Sequence, residues 1–167
     1  MSELRTNRIV PRDGMPSAAY GGGIIQVVYH QYSTDISFNT NTEITTATIK
    51  PSSASNKILI DVRIRYKHEG TNGQYFMRLD RKIGSGSYST GINGSFAMHS
   101  SSYGTAGHMF QPPWVRMYND NPGTTDVVTY KIQINPWGSP GSNFRLNPFD
   151  GDQENQGLQM IMYEVSA

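Results

Sequence analysis

The sequence predicts an all-β protein, an antiparallel β-sandwich of the jelly-roll kind, and three observations lead to that fold class. Apolar and polar residues alternate with a period of two from Lys57 to Lys67, which is typical of a half-buried antiparallel strand. Asn-Gly, Asn-Pro-Gly and Pro-Gly sequences, which favour tight turns, separate the candidate strands. No window carries an apolar stripe of helical period and length between helix caps. Many short strands joined by regular turns indicate a sandwich or jelly roll.

The candidate strands fall into a stronger and a weaker group. The stronger candidates are Ile24–His30, Ile44–Lys50, Lys57–Lys67, Gln74–Ile83, Thr125–Ile134 and Leu158–Val165. The weaker candidates are Ser87–Ile92, Ser95–His99, Trp114–Tyr118 and Asn143–Leu146. In the segment that starts at Lys57, Leu59 is the one apolar residue on an otherwise polar face. We therefore expect most strands to bury a single face.

Residues 1–23 differ from the rest and predict an extended N-terminal arm, followed by one β-sandwich domain at 24–167. Pro11 and Pro16 exclude a continuous helix in the arm, and three glycines at 21–23 form a joint. Arginines interleave with apolar residues there, a pattern suited to gripping a carboxylate-bearing partner surface. The alternative is a solvated tail. The predicted partner-binding residues of the arm are Leu4, Arg5, Arg8, Ile9, Val10 and Arg12.

Composition excludes several classes of function. The chain has 167 residues, enough for one core, and no cysteine, so neither a disulfide framework nor a thiolate metal site is expected. A net charge of +1 lacks the basic footprint of a nucleic-acid-binding protein. No segment approaches the ~20 apolar residues that span a bilayer, and the N-terminus lacks the apolar stretch of a secretory signal. We expect no contact with nucleic acid or membrane.

Few patterns point to chemistry. The glycines between Gly84 and Gly94 match neither a nucleophile elbow nor a phosphate-binding loop and predict a hairpin. None of the histidines is paired with another at metal-ligand spacing. Asp150, Asp152 and Glu154 form an acidic cluster that either binds calcium or is a solvated loop. We expect no cofactor, no metal and no enzymatic activity. The isolated histidines are His30, His68, His99 and His108.

Aromatic residues are more informative. Trp114, Tyr118 and Trp137 lie in or beside predicted turns, where exposed rings suit stacking on a sugar or contact with a protein. Burial in the core is the alternative for each, because most tryptophans in proteins are largely buried. We treat the three as candidate receptor-binding or interface residues.

Several stretches resemble small virion proteins of cyanobacterial and marine tailed bacteriophages. They are the arm from Ser2 to Pro16, the Gly-Gly-Gly-Ile-Ile-Gln-Val-Val run at 21–28, the Ile-Lys-Pro-Ser-Ser run that starts at Ile49, and the Leu-Gln-Met-Ile-Met-Tyr-Glu-Val end at 158–165. The middle of the chain, 84–123, does not match. Such proteins are similar in pattern to the trimeric jelly-roll heads of the tumour-necrosis-factor and complement type. The resemblance therefore implies a virion location and a homotrimer, and it implies no catalytic residue.

Three functions remain open. The first is a capsid decoration, or cement, protein whose arm binds the major capsid protein or another virion protein across subunit boundaries. The second is a tail-fibre tip or knob that binds a host glycan or surface protein through turn-borne aromatics. The third is a polysaccharide-degrading enzyme, which the lack of a visible acid–base or nucleophile constellation disfavours.

Overall fold

The computed structural model describes residues 23–69, 73–92, 95–100, 109–110, 114–137, 143–146 and 157–166. Within these ranges the regular structure is entirely β. The strands are β1 (Ile24–Tyr32), β2 (Ile36–Phe38), β3 (Thr42–Ile49), β4 (Lys57–Ile64), β5 (Tyr66–Glu69), β6 (Gly73–Ile83), β7 (Ser95–Ser100), β8 (Met109–Phe110), β9 (Trp114–Asp120), β10 (Val128–Trp137), β11 (Asn143–Leu146) and β12 (Leu158–Val165).

Two four-stranded sheets form the body of the molecule. Sheet A has the order β1-β12-β4-β9 and sheet C has the order β3-β10-β6-β7. All of their strand pairs are antiparallel. The strand order interleaves the two ends of the chain, since the first strand pairs with the last, as in a jelly roll. The predicted fold class, an antiparallel β-sandwich of the jelly-roll kind, is confirmed.

One apolar core lies between the sheets. The alternating residues of β4, Ile58, Ile60, Val62 and Ile64, are completely buried, as the period-two pattern predicts. Sheet C contributes the alternating residues of β10, and β12 contributes Leu158, Met160 and Met162. The core side of the alternating strands β4 and β10 is therefore predictable from the sequence. The buried residues of β10 are Val128, Tyr130, Ile132 and Ile134.

A third, smaller sheet B, of order β2-β11-β5-β8, extends the core at one end. Phe144 is its centre, with ring centroids 5.0 Å from Tyr66, 5.3 Å from Phe38 and 4.8 Å from Tyr75. Tyr75 belongs to β6, so this aromatic cluster joins sheet B to sheet C. Aromatic contacts at these distances add about 0.5–1.5 kcal/mol each beyond the area they bury.

Two strand predictions need correction. The segment Lys57–Lys67 is not one strand, because the chain leaves sheet A after Ile64 and enters sheet B at Tyr66. Alternation continues through the break, since both sheets face the same core. The weaker candidate Ser87–Ile92 is not a strand either. It is a loop with one isolated bridge between Ser89 and Arg81, and the loop folds back over sheet C.

Gly157, just before β12, offers a test of local packing. Its φ is +52°, and an added Cβ would lie 2.7 Å from the carbonyl oxygen of Tyr32. Gly84 also has a φ of +52° but has open space around it. We expect Gly157→Ala to lower the free energy of unfolding by about 1–3 kcal/mol more than Gly84→Ala, because only the former clashes with backbone. Urea denaturation of the two variants measures the difference, and equal costs would show that β1 and β12 relax freely here.

Candidate interaction surface

The outer side of sheet A, turned away from the core, carries a patch of apolar side chains. The same side also carries polar residues, namely Gln31, Lys57, Arg63, Asn119 and Gln159. On the edge strand β1, Val27 and Tyr29 point outward and are about half exposed. On the opposite edge strand β9, Val115 and Met117 are exposed by 56% and 61%. Between them, β12 and β4 contribute partly buried apolar side chains to the same side. We call this surface the apolar face; its members are Ile24, Val27, Tyr29, Leu59, Asp61, Val115, Met117, Ile161, Tyr163 and Val165.

Strand register places these residues in rows across the sheet. One row runs from Val27 through Tyr163 and Leu59 to Asn119. The next row runs from Tyr29 through Ile161 and Asp61 to Met117. Directly opposite residues in a sheet have Cβ atoms only ~5 Å apart, so each row is a continuous strip of side chains.

A carboxylate lies in the middle of the apolar face. Asp61 is only 6% exposed, and its Oδ2 accepts hydrogen bonds from Nε and Nη2 of Arg63 at 3.1 and 2.9 Å. Its Oδ1 is buried and has no hydrogen-bond partner among the described residues. A buried acceptor without a hydrogen bond lowers the free energy of unfolding by about 1–3 kcal/mol. A donor from outside the described part of the chain would remove this penalty.

The outer side of sheet C, in contrast to that of sheet A, carries charged side chains that pair with one another. Asp80 is almost completely buried there, paired with Arg78 at 2.8 Å and within 3.9 Å of Lys131. The backbone N–H of Gly91 also donates to Asp80 at 2.9 Å, so the loop after β6 covers this side. The Tyr88 ring lies 4.1 Å from the Lys131 ammonium group. Sheet C thus satisfies its charges within the chain, while sheet A leaves apolar surface open.

The carboxylate of Glu164, on β12, binds the beginning of β1 through a hydrogen bond. Glu164 is fully buried, and its Oε1 accepts from the Ser52 N–H, the Ser52 hydroxyl and the Asn56 amide at 2.6–2.7 Å. Its Oε2 accepts from the Gln26 amide at 2.5 Å. The Ser166 N–H also donates to the carbonyl of Gly23 at 3.2 Å. The first strand is therefore fixed to the last one and to the loop between β3 and β4.

Three of the predicted site residues lie within the described part of the chain, and the others lie outside it. Trp114 begins β9 opposite Ile64, and Trp137 ends β10 opposite Gln74. Tyr118 is 2% exposed and faces the core, so its proposed role as a surface aromatic is wrong and the core alternative is correct. The arm candidates Leu4, Arg5, Arg8, Ile9, Val10 and Arg12 lie outside the described residues, as do Asp150, Asp152 and Glu154.

The described part of the chain shows no group of three or more potential metal-binding side chains. His30 contacts the hydroxyl of Thr45 at 2.6 Å, across the two large sheets. Within the same ranges, no helix has the length and apolar character needed to cross a membrane.

Sequence reasoning missed the apolar face, although a signal was present. Strand β12 is apolar on both of its sides, since Ile161, Tyr163 and Val165 alternate with the core residues. Strand β1 begins with the same two-sided pattern, and Leu59 is its counterpart in β4. A strand that is apolar on both faces is typical of a sheet covered on both sides.

The solved structures that resemble this chain include viral chains, and the similarity is low. One is a chain from the structure of infectious bursal disease virus, Gx strain, with 10% identity, a TM-score of 0.41, and coverage of 94% of this chain and 42% of that one. Another is from the VP2 subviral particle of that virus, with 14% identity, a TM-score of 0.40, and coverage of 85% and 37%. The chain thus spans about two fifths of the length of the viral chains it matches. Similarity this low assigns neither a family nor a function.

No protein-family model matches the chain, and a search of curated proteins found no match.

Proposed function

We propose that this chain is a structural protein of a bacteriophage virion that decorates the capsid as a homotrimer. The observation that carries the proposal is the contrast between the two outer sheet surfaces. The outer side of sheet C carries charges that pair within the chain, whereas the outer side of sheet A exposes a cluster of large apolar side chains on its two edge strands. Contiguous exposed apolar surface marks an interaction site, and an assembly subunit buries it against its neighbours. The resemblance of the arm and the last strand to small phage virion proteins supports the same class.

The N-terminal arm supplies the proposed attachment to the capsid. The chain enters sheet A at Ile24, on the edge strand β1 beside the apolar face. Residues 1–22 span up to ~75 Å when extended, enough to cross a boundary between capsid subunits. The three arginines would pair with carboxylates of the major capsid protein, and the neighbouring apolar residues would bury against it. Contacts made only in the intact shell stabilise that shell by linkage.

We expect the full chain to bind the heads of phage particles that lack it, and a chain without residues 1–22 to remain unbound. We expect the shortened chain to keep its fold, because the pairing of β1 with β12 begins at Ile24 and is retained. Cosedimentation measures the bound fraction. Electron microscopy of gold-labelled protein on the same particles shows where it lies.

A variant with Arg5, Arg8 and Arg12 replaced by Gln is the matched control, because it keeps the length of the arm and removes its charge. It should bind at least about tenfold more weakly than the full chain if arginine–carboxylate pairs contribute as proposed. Full decoration by the shortened chain would contradict the role of the arm. Label confined to the tail would replace capsid decoration by the fibre-tip function.

A further inference from the structure

The exposed large apolar side chains are concentrated in one place. Seven are found among the described residues, and six of them lie on β1 and β9, the two edge strands of sheet A. Five of these six belong to the apolar face, and Ile25 lies at the bulge of β1 beside it. The seventh, Val127, precedes β10 and lies outside the apolar face. Such clustering is not what isolated surface leucines or valines show, and it marks a surface that is covered in the working state.

The polar centre of the apolar face restricts what can cover it. A purely apolar partner would leave Oδ1 of Asp61 without a donor. Arg63, on the same strand β4, is half exposed, and among the described residues its hydrogen bonds run from Nε and Nη2 to Asp61. A guanidinium has five N–H donors in total, so Arg63 retains donors for a further acceptor. The surface therefore offers both an unpaired acceptor and spare donors.

We propose that a second copy of this chain covers the apolar face. Each copy carries both the Asp61 acceptor and the Arg63 donors, so around the three-fold axis of a trimer the Arg63 donors of one copy can meet the Asp61 acceptor of the next. The net charge of +1 opposes association of copies only weakly. The inference rests on the homo-oligomer of the proposed function and assigns to it the face through which the copies meet.

Substitution on β9 tests the assignment. We expect the purified chain to be oligomeric at about 50 μM, and Met117→Lys to raise the dissociation constant by more than about tenfold, because it places a charge in a desolvated contact. Val127→Lys is the matched control, since Val127 is also an exposed apolar residue but is not part of the face. It should leave the oligomer unchanged. Sedimentation velocity over a concentration series measures both.

Thiol labelling gives a second readout with a smaller change of side chain. The chain has no cysteine, so Met117→Cys and Val127→Cys each introduce a unique thiol. In the oligomer, a bulky maleimide should label Cys at 117 at least about tenfold more slowly than Cys at 127, and dilution below the dissociation constant should remove the difference. This comparison decides the question even if Met117→Lys does not fold.

A monomeric chain at about 50 μM would overturn the inference. Equal labelling of both thiols in an intact oligomer would also overturn it and move the contact to another surface. These measurements use the purified chain without any virion component. A chain that does not bind capsids would therefore not contradict the contact through the apolar face. A negative result in the oligomer measurements would not contradict attachment to the capsid through the arm.

Discussion

Asp120→Ala is expected to lower the free energy of unfolding by about 2–3 kcal/mol, because it removes the shared acceptor of a partly buried ion pair and a buried hydrogen bond between the sheets. Asp120 ends β9 of sheet A and is 6% exposed. Its Oδ1 accepts from Nη1 of Arg81 at 2.7 Å, and its Oδ2 accepts from the Tyr130 hydroxyl at 2.7 Å. Arg81 and Tyr130 both belong to sheet C. Removal of the carboxylate leaves a guanidinium and a buried hydroxyl without their acceptor.

The protonation state of Tyr130 supports this account. Burial, together with the negative charge of Asp120, raises the pKa of Tyr130 far above its ordinary value. The phenol is therefore protonated at neutral pH and donates to Asp120. Tyr130→Phe removes this donor and keeps the ring, so we expect a cost of only about 1 kcal/mol.

Urea denaturation of Asp120→Ala, Tyr130→Phe and the double variant forms a thermodynamic cycle. The double variant should be more stable than the sum of the two single costs predicts, because the hydroxyl has already lost its acceptor in Asp120→Ala. Strict additivity would show that the two groups do not interact, and the proposed bond between the sheets would then be wrong.

Glu164 should make stability depend on pH in the acid range. Burial by itself raises the pKa of Glu164, but hydrogen bonds from Asn56, Ser52 and Gln26 outweigh it and lower the pKa to about 2, from an ordinary value of 4.5. The folded state therefore holds the proton less tightly than the unfolded state. The stabilisation is complete above pH 4.5, decreases below it, and is lost as the pH falls through about 2. The expected loss is on the order of 3 kcal/mol.

The free energy of unfolding of wild type and Glu164→Gln, measured by urea denaturation from pH 7 to pH 2, checks this prediction. The glutamine variant should be less stable at pH 7, because its amide group meets the donors of Gln26 or Asn56, and the difference from wild type should shrink in acid. Glu43→Gln is the matched control, since Glu43 is 56% exposed and its ion pair within the described ranges is the one with Lys131. A constant difference between wild type and Glu164→Gln across the range would contradict the assigned pKa.

Strong alternation made most strands predictable. The segments around Ile58, Ile132 and Met160 are strands because their apolar side chains recur at every second residue and bury one face. The weak candidate Trp114–Tyr118 is also part of a strand, with Tyr118 on the core side. The strand break at Arg65 was not predictable, because a change of sheet leaves the alternation intact when both sheets face one core.

By itself, the sequence determined that the protein is an antiparallel β-sandwich and which side of the alternating strands β4, β6 and β10 faces the core. Only the tertiary structure decided which strands are neighbours. Val27 pairs with Tyr163, and the contact between Gln26 and Glu164 joins the two ends of the chain. Periodicity is a local property that distinguishes the two sides of one strand. Which residues lie together on the surface of a sheet depends on pairing between strands that are far apart in the chain. For that reason the apolar face, with Asp61 at its centre, became visible only when β1, β12, β4 and β9 lay side by side.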